Sequence, residues 1–317
     1  MSSMKNQFDE AWELISRSNR IFLTTHEGTD GDDLGSLLAM NFALATRNKV
    51  TAAAVKAGVP NNLVFLPGSE QVADTLPEGP FDLLITFGCN NLARTGFEQM
   101  QAWNIPIINF DHHPDNRNFG TVNVVDPSTS AVAELVYYFL IHFHIEITSQ
   151  IATCLLTGIF TDTGGFKHAN TTAAALEVSA HLLKKGARID RIAYQTMGRK
   201  RPQTIKAWAK ALANTRFDTH KKLVFSVLTE EDLKDIGASE EDLDGFVELI
   251  NNIPQARFAL LLRQDGEMVK GTLRSEPYKG VDVSKIARSF GGGGHKLASG
   301  FKIKGRLTQD GAVWRVK

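Results

Sequence analysis

The chain has 317 residues, 43% of them hydrophobic and 22% charged, and its 35 Lys and Arg balance 35 Asp and Glu to a formal charge of zero. That length exceeds one typical domain, and that composition is ordinary for a globular protein, which excludes a wholly disordered, collagenous or coiled-coil chain. Cys89 and Cys154 cannot build a disulfide framework or a C-x-x-C zinc pattern. No apolar run reaches the ~20 residues of a membrane span, and the polar residues 1–10 lack a signal-peptide core, so a reduced, cytoplasmic protein is expected.

In chain order, residues 10–17 place Trp12, Leu14 and Ile15 on one side of a helix. Residues 20–25 are a short β-rich run that stops at a loop full of Asp and Gly, and residues 34–45 return to helical spacing. Short apolar runs at 51–55, 83–87, 106–110 and 121–125 have the character of buried parallel strands. Helices are predicted over 130–143, 147–160 and 171–185, the last stopped by Gly186. This alternation predicts an α/β fold with a mostly parallel sheet, whose ligands bind beyond the carboxyl ends of the strands.

The charge pattern then changes. Residues 184–222 hold twelve Lys or Arg against Asp190 and Asp218, and residues 230–248 hold nine acids against Lys234. A linker, helical after Pro202, is placed in the basic stretch. Solvated faces account for both blocks; basic residues facing a phosphate are the functional alternative. Strands over 222–228, 257–262, 268–273 and 299–303 and a helix over 283–290 predict a second, smaller α/β unit.

Four segments carry candidate chemistry. In His26-Glu27-Gly28-Thr29-Asp30-Gly31-Asp32, two carboxylates and an imidazole can converge on a hard divalent cation, although a plain helix N-cap would use the same residues. Asp111-His112-His113 follows the run 106–110, and its adjacent imidazoles diverge, one toward a metal and one toward substrate; a solvated turn before Pro114 is the alternative. Asp162 ends an apolar helix, where a carboxylate opposes the helix dipole unless a cation compensates it, or where Gly164 and Gly165 simply stop the helix. Gly291–Gly294, followed by His295 and Lys296, offers backbone N–H groups for an anion nest, with Arg274 as a phosphate fork; a flexible loop is the alternative. Together they point to a divalent metal centre in the first domain, a phosphate cradle in the second, a substrate in the cleft between them, and phosphate-ester hydrolysis by metal-bound water.

With these residues in place, the chain resembles the DHH phosphoesterase family, and within it the RecJ-like oligoribonucleases (nanoRNases) that also act on 3′-phosphoadenosine 5′-phosphate. His26, Asp30 and Asp32 match the first family motif, Asp111-His112-His113 the motif that names the family, and Asp162 a later metal-binding Asp. Arg274 and the Gly291–His295 run match the DHH-associated C-terminal domain. The resemblance implies a DHH domain at residues 1–197, a linker helix at 198–215 and a substrate-binding domain at 216–317. It implies two Mn²⁺ ions, one held by His26 and Asp30 and the other by Asp32, His112 and Asp162. It also implies that His113, with Asp111, is catalytic, and that Arg274, Gly292, Gly293, Gly294 and His295 bind substrate. The implied activity is hydrolysis of oligoribonucleotides of a few residues to mononucleotides, and of 3′-phosphoadenosine 5′-phosphate to AMP. The implied partners are short RNA or nucleotides, with no membrane; family members are often homodimers.

One position departs. The family's bridging Asp aligns with Gly88, in a segment reading FDLLITFGCNNLAR. A glycine supplies no carboxylate, so weakened binding of the second ion is expected, with activity reduced or lost, or with Cys89 or Asn90 filling in. The alternatives are a nucleotide- or RNA-binding form without turnover, or a cyclic or linear dinucleotide or polyphosphate hydrolase.

Overall fold

In the computed structural model, which describes residues 2–310 and 313–317, the chain divides into two units, Met1–Arg199 and Lys200–Lys317. The first runs α1 (Ser2–Arg17), β1 (Arg20–Thr25), α2 (Gly31–Ala45), β2 (Val50–Ala54), β3 (Leu83–Phe87), β4 (Ile107–Asp111), β5 (Val122–Val125), α3 (Val132–His142), α4 (Ser149–Asp162), α5 (Ala173–Lys184) and α6 (Ile189–Ala193). All five strands are parallel, in the order β2-β1-β3-β4-β5. Strand order therefore reverses between β1 and β3, the switch point where such sheets open a crevice at their carboxyl ends.

Both sheet faces are covered, so successive residues of β1 enter different cores. Ile21 and Leu23 join the large cluster under the helices, while Phe22 joins Ala54, Leu84, Phe97 and Met100 on the other face. The connections from β2 to β5 contain no α-helix, contrary to a strict strand–helix alternation. Pro60, Pro67, Pro77 and Pro80 break the β2–β3 stretch, and short 3₁₀ turns such as Glu98–Ala102 cover that face instead. Helix α1 also begins eight residues before its predicted start, because Phe8 packs edge-on against Phe139 at 5.4 Å.

Helix α2 is buried continuously from Gly31 to Met40. It packs most extensively on α4, and the approach is made by glycines. A Cβ on Gly35 would overlap the Cys154 carbonyl, one on Gly31 would meet Thr161 Oγ1 at 2.5 Å, and one on Gly158 would meet Asp32 Oδ1 at 2.8 Å. The start of α2 is thereby brought against the end of α4.

The second unit runs α7 (Pro202–Ala213), β6 (Arg216–Asp218), β7 (Leu223–Leu228), α8 (Glu230–Ile236), α9 (Phe246–Asn251), β8 (Phe258–Asp265), β9 (Met268–Arg274), α10 (Val283–Ser289), β10 (Gly293–Gly294), β11 (Ala298–Lys304), β12 (Leu307–Asp310) and β13 (Val313–Val316). Its six-stranded sheet, β10-β11-β9-β8-β7-β6, is antiparallel except at β7–β8. Helix α7, expected as a linker, is part of this unit: Pro202 occupies its first turn, and Ala207 and Ala211 are buried with Val224, Leu228 and Phe246.

Asp242 ties α7 down. Its carboxylate is 1% exposed and accepts from Arg201 Nε at 3.0 Å, Thr204 Oγ1 at 2.5 Å and the Ser239 N–H at 2.9 Å. Burial opposes its charge, but the hydrogen bonds from Arg201 and Thr204 prevail and hold its pKa down at about 2, against an ordinary 3.8. The unfolded carboxyl takes up its proton first as pH falls. The stabilisation is therefore complete above about pH 4 and is lost as pH falls through about 2. Asp242→Asn is expected to flatten the acid-side decline in urea stability of the second unit; equal slopes in wild type and variant would refute this account.

Candidate metal centre

The sequence-predicted residues of the first unit assemble at the carboxyl ends of the strands. His26 directly follows β1. Asp30 caps α2, its Oδ1 accepting the N–H groups of Asp32 at 2.9 Å and Asp33 at 3.1 Å; this fixes the loop and points two further carboxylates inward from the first turn. Asp111 ends β4, with His112 and His113 immediately after it, and Asp162 is the last residue of α4.

Among the described residues, two groups offer ligand atoms within 4.8 Å of one another: His26, Asp30 and Asp33, and Asp32, His112 and Asp162. The second group is the set expected from the resemblance. The first contains a residue the sequence reading missed, Asp33, which is 3% exposed and whose Oδ2 lies 2.6 Å from His26 Nε2. Its only sequence signal was an acid beside Asp32 at a position that an amphipathic helix would bury.

The electrostatics are those of a cation site. Burial is the largest influence on both Asp32 and Asp33 and pushes their carboxyls well up; the charges of Asp162 and Asp30 add to this for Asp32, and those of Asp30, Asp32, Asp111 and Asp162 for Asp33. Burial also raises Asp162 and lowers the His26 imidazole. Asp32 has partial compensation at the start of α3, where the N–H groups of Val132 and Ala133 donate to it at 2.7 and 2.8 Å. Several buried carboxylates without a matching set of Lys or Arg are costly unless cations neutralise them. A mixed imidazole and carboxylate donor set with no thiolate suits Mn²⁺, so the residues present fit the implied ions. The His112 ring orients Nδ1 toward the Thr129 carbonyl at 3.4 Å and Nε2 toward Asp162 at 3.9 Å, the arrangement of an imidazole presenting Nε2 as ligand.

Asp111 stands in neither group. Its Oδ1 accepts the N–H groups of His112 (2.8 Å) and His113 (3.1 Å) and faces His113 Nδ1 at 2.7 Å, and its Oδ2 accepts from Asn116. Burial alone would raise this carboxyl, but the hydrogen bonds from His113 and Asn116 outweigh it and lower its pKa, and the bond to Asp111 in turn raises that of His113. Asp111, fully buried, thus holds the His113 ring through Nδ1. Asn170, also missed, donates through Nδ2 to Asp162 Oδ2 at 3.0 Å and to the Ser130 carbonyl at 3.0 Å.

Neither neighbour of Gly88 fills in for a carboxylate. Cys89 is buried with Sγ toward the Phe87 carbonyl, and burial, then the charges of Asp33 and Asp111, pushes its thiol well up. Asn90 donates to Asp115 at 2.9 Å. His168 packs against Gly164, with Nδ1 3.3 Å from the Asp162 carbonyl.

In the second unit the glycine run does not form the expected nest. The N–H groups of Gly291, Gly292 and His295 go to the carbonyls of Arg288, Ala287 and Ala298, and Gly293–Gly294 pairs with Ser299 and Gly300. The glycines serve close approach instead: a Cβ on Gly292 would overlap the Gly300 carbonyl. Gly292 lines a concave patch with Arg263, Lys270, Lys302 and Phe301. Arg274 lies in the adjoining hollow, with Nε 2.6 Å from Glu248 Oε1.

Residues 20–159 match the DHH family, N-terminal domain, and residues 220–312 the DHHA1 domain. The bifunctional oligoribonuclease and PAP phosphatase NrnA of Thermus thermophilus is 37% identical over 300 residues, spanning 93% of this chain and 87% of that protein. An exopolyphosphatase-related protein from Bacteroides fragilis has the same fold at a TM-score of 0.87 and 25% identity, covering 95% of this chain and 92% of that one. RecJ from Thermus thermophilus, crystallised with Mn²⁺, shares the fold at a TM-score of 0.56 and 14% identity, covering 95% of this chain and 52% of that one.

Asn170→Ala frees the carboxylate of Asp162. It is expected to weaken Mn²⁺ binding about 10–100-fold by titration calorimetry, the usual cost of removing a ligand's supporting partner; unchanged affinity would mean that Asp162 is held without it.

Proposed function

The chain belongs to the DHH family of phosphoesterases, and from that membership we propose a metal-dependent hydrolase that cleaves oligoribonucleotides of a few residues to mononucleotides and removes the 3′-phosphate of 3′-phosphoadenosine 5′-phosphate. The observation that carries this reading is the pair of adjacent imidazole–carboxylate triads at the β1/β3 switch point, beside a histidine oriented by a buried aspartate. The Thermus thermophilus relative's name, an oligoribonuclease and PAP phosphatase, supports the substrate class.

Two Mn²⁺ ions, when bound, would polarise a phosphoryl oxygen and lower the pKa of a water molecule. His26 and Asp30 would hold one ion, and Asp32, His112 and Asp162 the other. Asp111 accepts from His113 Nδ1 and raises the basicity of that imidazole, which would contact the scissile phosphate. Asn170 and the start of α3 would keep Asp162 and Asp32 aimed while the reaction proceeds. In the second unit, Arg274 would exchange Glu248 for a substrate phosphate, a charge-for-charge replacement that costs little desolvation. Gly292 lines a hollow with Arg263, Lys270 and Lys302; Gly293, Gly294 and His295 follow it in the chain, and the three basic side chains, two of them paired with Glu240, would attract the polyanionic end of the substrate. The B. fragilis neighbour's name favours polyphosphate as a second reading.

The test is turnover by chelator-stripped protein with Mn²⁺ restored, on a 5′-phosphorylated RNA dinucleotide, 3′-phosphoadenosine 5′-phosphate and inorganic polyphosphate in parallel. Turnover of the first two, lost in Asp162→Ala and Asp32→Ala, is expected. Arg274→Ala is expected to raise KM at least about tenfold with a smaller effect on kcat, the signature of lost uniform binding. Full activity in both aspartate variants would overturn the ligand assignment, and turnover of polyphosphate alone would select the second reading.

A further inference from the structure

Gly88 follows β3 at the strand-order reversal, with φ +62° and its N–H donated to the Phe110 carbonyl at 2.9 Å. A Cβ built on this glycine would fall inside the carboxylate of Asp33. The space a side chain at residue 88 would enter is therefore already filled by a carboxylate reaching across from the first turn of α2. That carboxylate is 3% exposed, groups with His26 and Asp30, and is adjacent in sequence to Asp32 of the other triad.

We propose that Asp33 is the bridging ligand of a two-ion centre, its carboxylate having taken over from α2 the position that a side chain at residue 88 would otherwise supply from β3. The inference rests on the metal-dependent reading above and corrects the expectation that Gly88 leaves the centre a carboxylate short. The two positions are sterically exclusive. Asp33 requires glycine at 88, because any Cβ there displaces its carboxylate, and the three heavy atoms nearest that Cβ position all belong to the Asp33 carboxylate. A left-handed backbone at 88 still admits Asp, which tolerates that region better than most residues. The carboxylate can thus be moved back, but only if Asp33 is removed at the same time.

The experiment measures Mn²⁺ stoichiometry by titration of the chelator-stripped full chain, and spin coupling between ions by electron paramagnetic resonance. Wild type should bind two coupled ions. Asp33→Asn keeps the volume and the hydrogen bond to His26, so it should fold, yet it should bind the second ion at least about tenfold more weakly and lose the coupled signal. Gly88→Asp alone should show the same loss, because two carboxylates cannot share one space. The double variant Asp33→Ala/Gly88→Asp should regain both ions and the coupling. Two coupled ions at wild-type affinity in Asp33→Asn would overturn the bridging role while leaving the hydrolase reading intact. Absence of Mn²⁺ uptake by the wild type would overturn both.

Discussion

The first unit is organised around one electrostatic liability: aspartates 32, 33, 111 and 162 converge where a parallel sheet ends, and Asp32, Asp33 and Asp111 are almost wholly removed from water. Apolar packing brings them there. Helix α2 is buried through its first ten residues, so the acids of its first turn are carried into the interior with it. Glycines at 31, 35 and 158 let α2 and α4 approach until Asp32 and Asp162 belong to one group. Hydrophobic burial is worth roughly 25 cal/mol per Å² over such a core, enough to hold a cluster that would disperse on its own. Neutralising that cluster is what divalent cations would do, and it is why the imidazoles of His26 and His112 stand within reach.

The second unit treats its acids in the opposite way. Asp242 pairs with Arg201, Glu240 with Arg263 and Lys270, and Glu248 with Arg274. The chain's zero net charge therefore conceals a contrast: ion pairs with Arg and Lys in the second unit, and in the first a carboxylate group whose partners are imidazoles, amides and backbone N–H groups. Basic residues of the second unit are held by acids at a concave, glycine-lined face, whereas the acids at the strand ends of the first unit face the imidazoles of His26, His112 and His113.

Steric exclusion adds a second constraint at the centre. The Cβ that a left-handed glycine after β3 lacks would fall on the carboxylate of an aspartate in the first turn of α2. Ligand identity in such a centre is a property of the space to be filled rather than of any one position in the chain. The same carboxylate can be delivered from a strand end or from a helix start, provided the other donor is shortened to hydrogen.

Much of this was legible in the amino-acid order. The strand runs 20–25 and 83–87 coincide with β1 and β3, and the motif residues His26, Asp30, Asp32, His112 and Asp162 meet at one end of the sheet, because short apolar runs and turn-forming Asp and Gly act locally. Asp33 was assigned no role from the sequence, because its burial depends on the close packing of α2 on α4. Asn170 and Asn116 lie outside every motif; their roles arise only from how loops return over the strand ends. The glycine run at 291–294 looked like a phosphate nest, but ladder pairing with β11 and turns back to α10 consume most of its N–H groups. Sequence determined the elements, the family and most of the candidate ligands, because periodicity and turn chemistry are short-range. The tertiary structure alone decided which carboxylate fills the space at Gly88 and that Asn170 holds Asp162 and the Ser130 carbonyl, because those depend on how segments distant in the chain fold together.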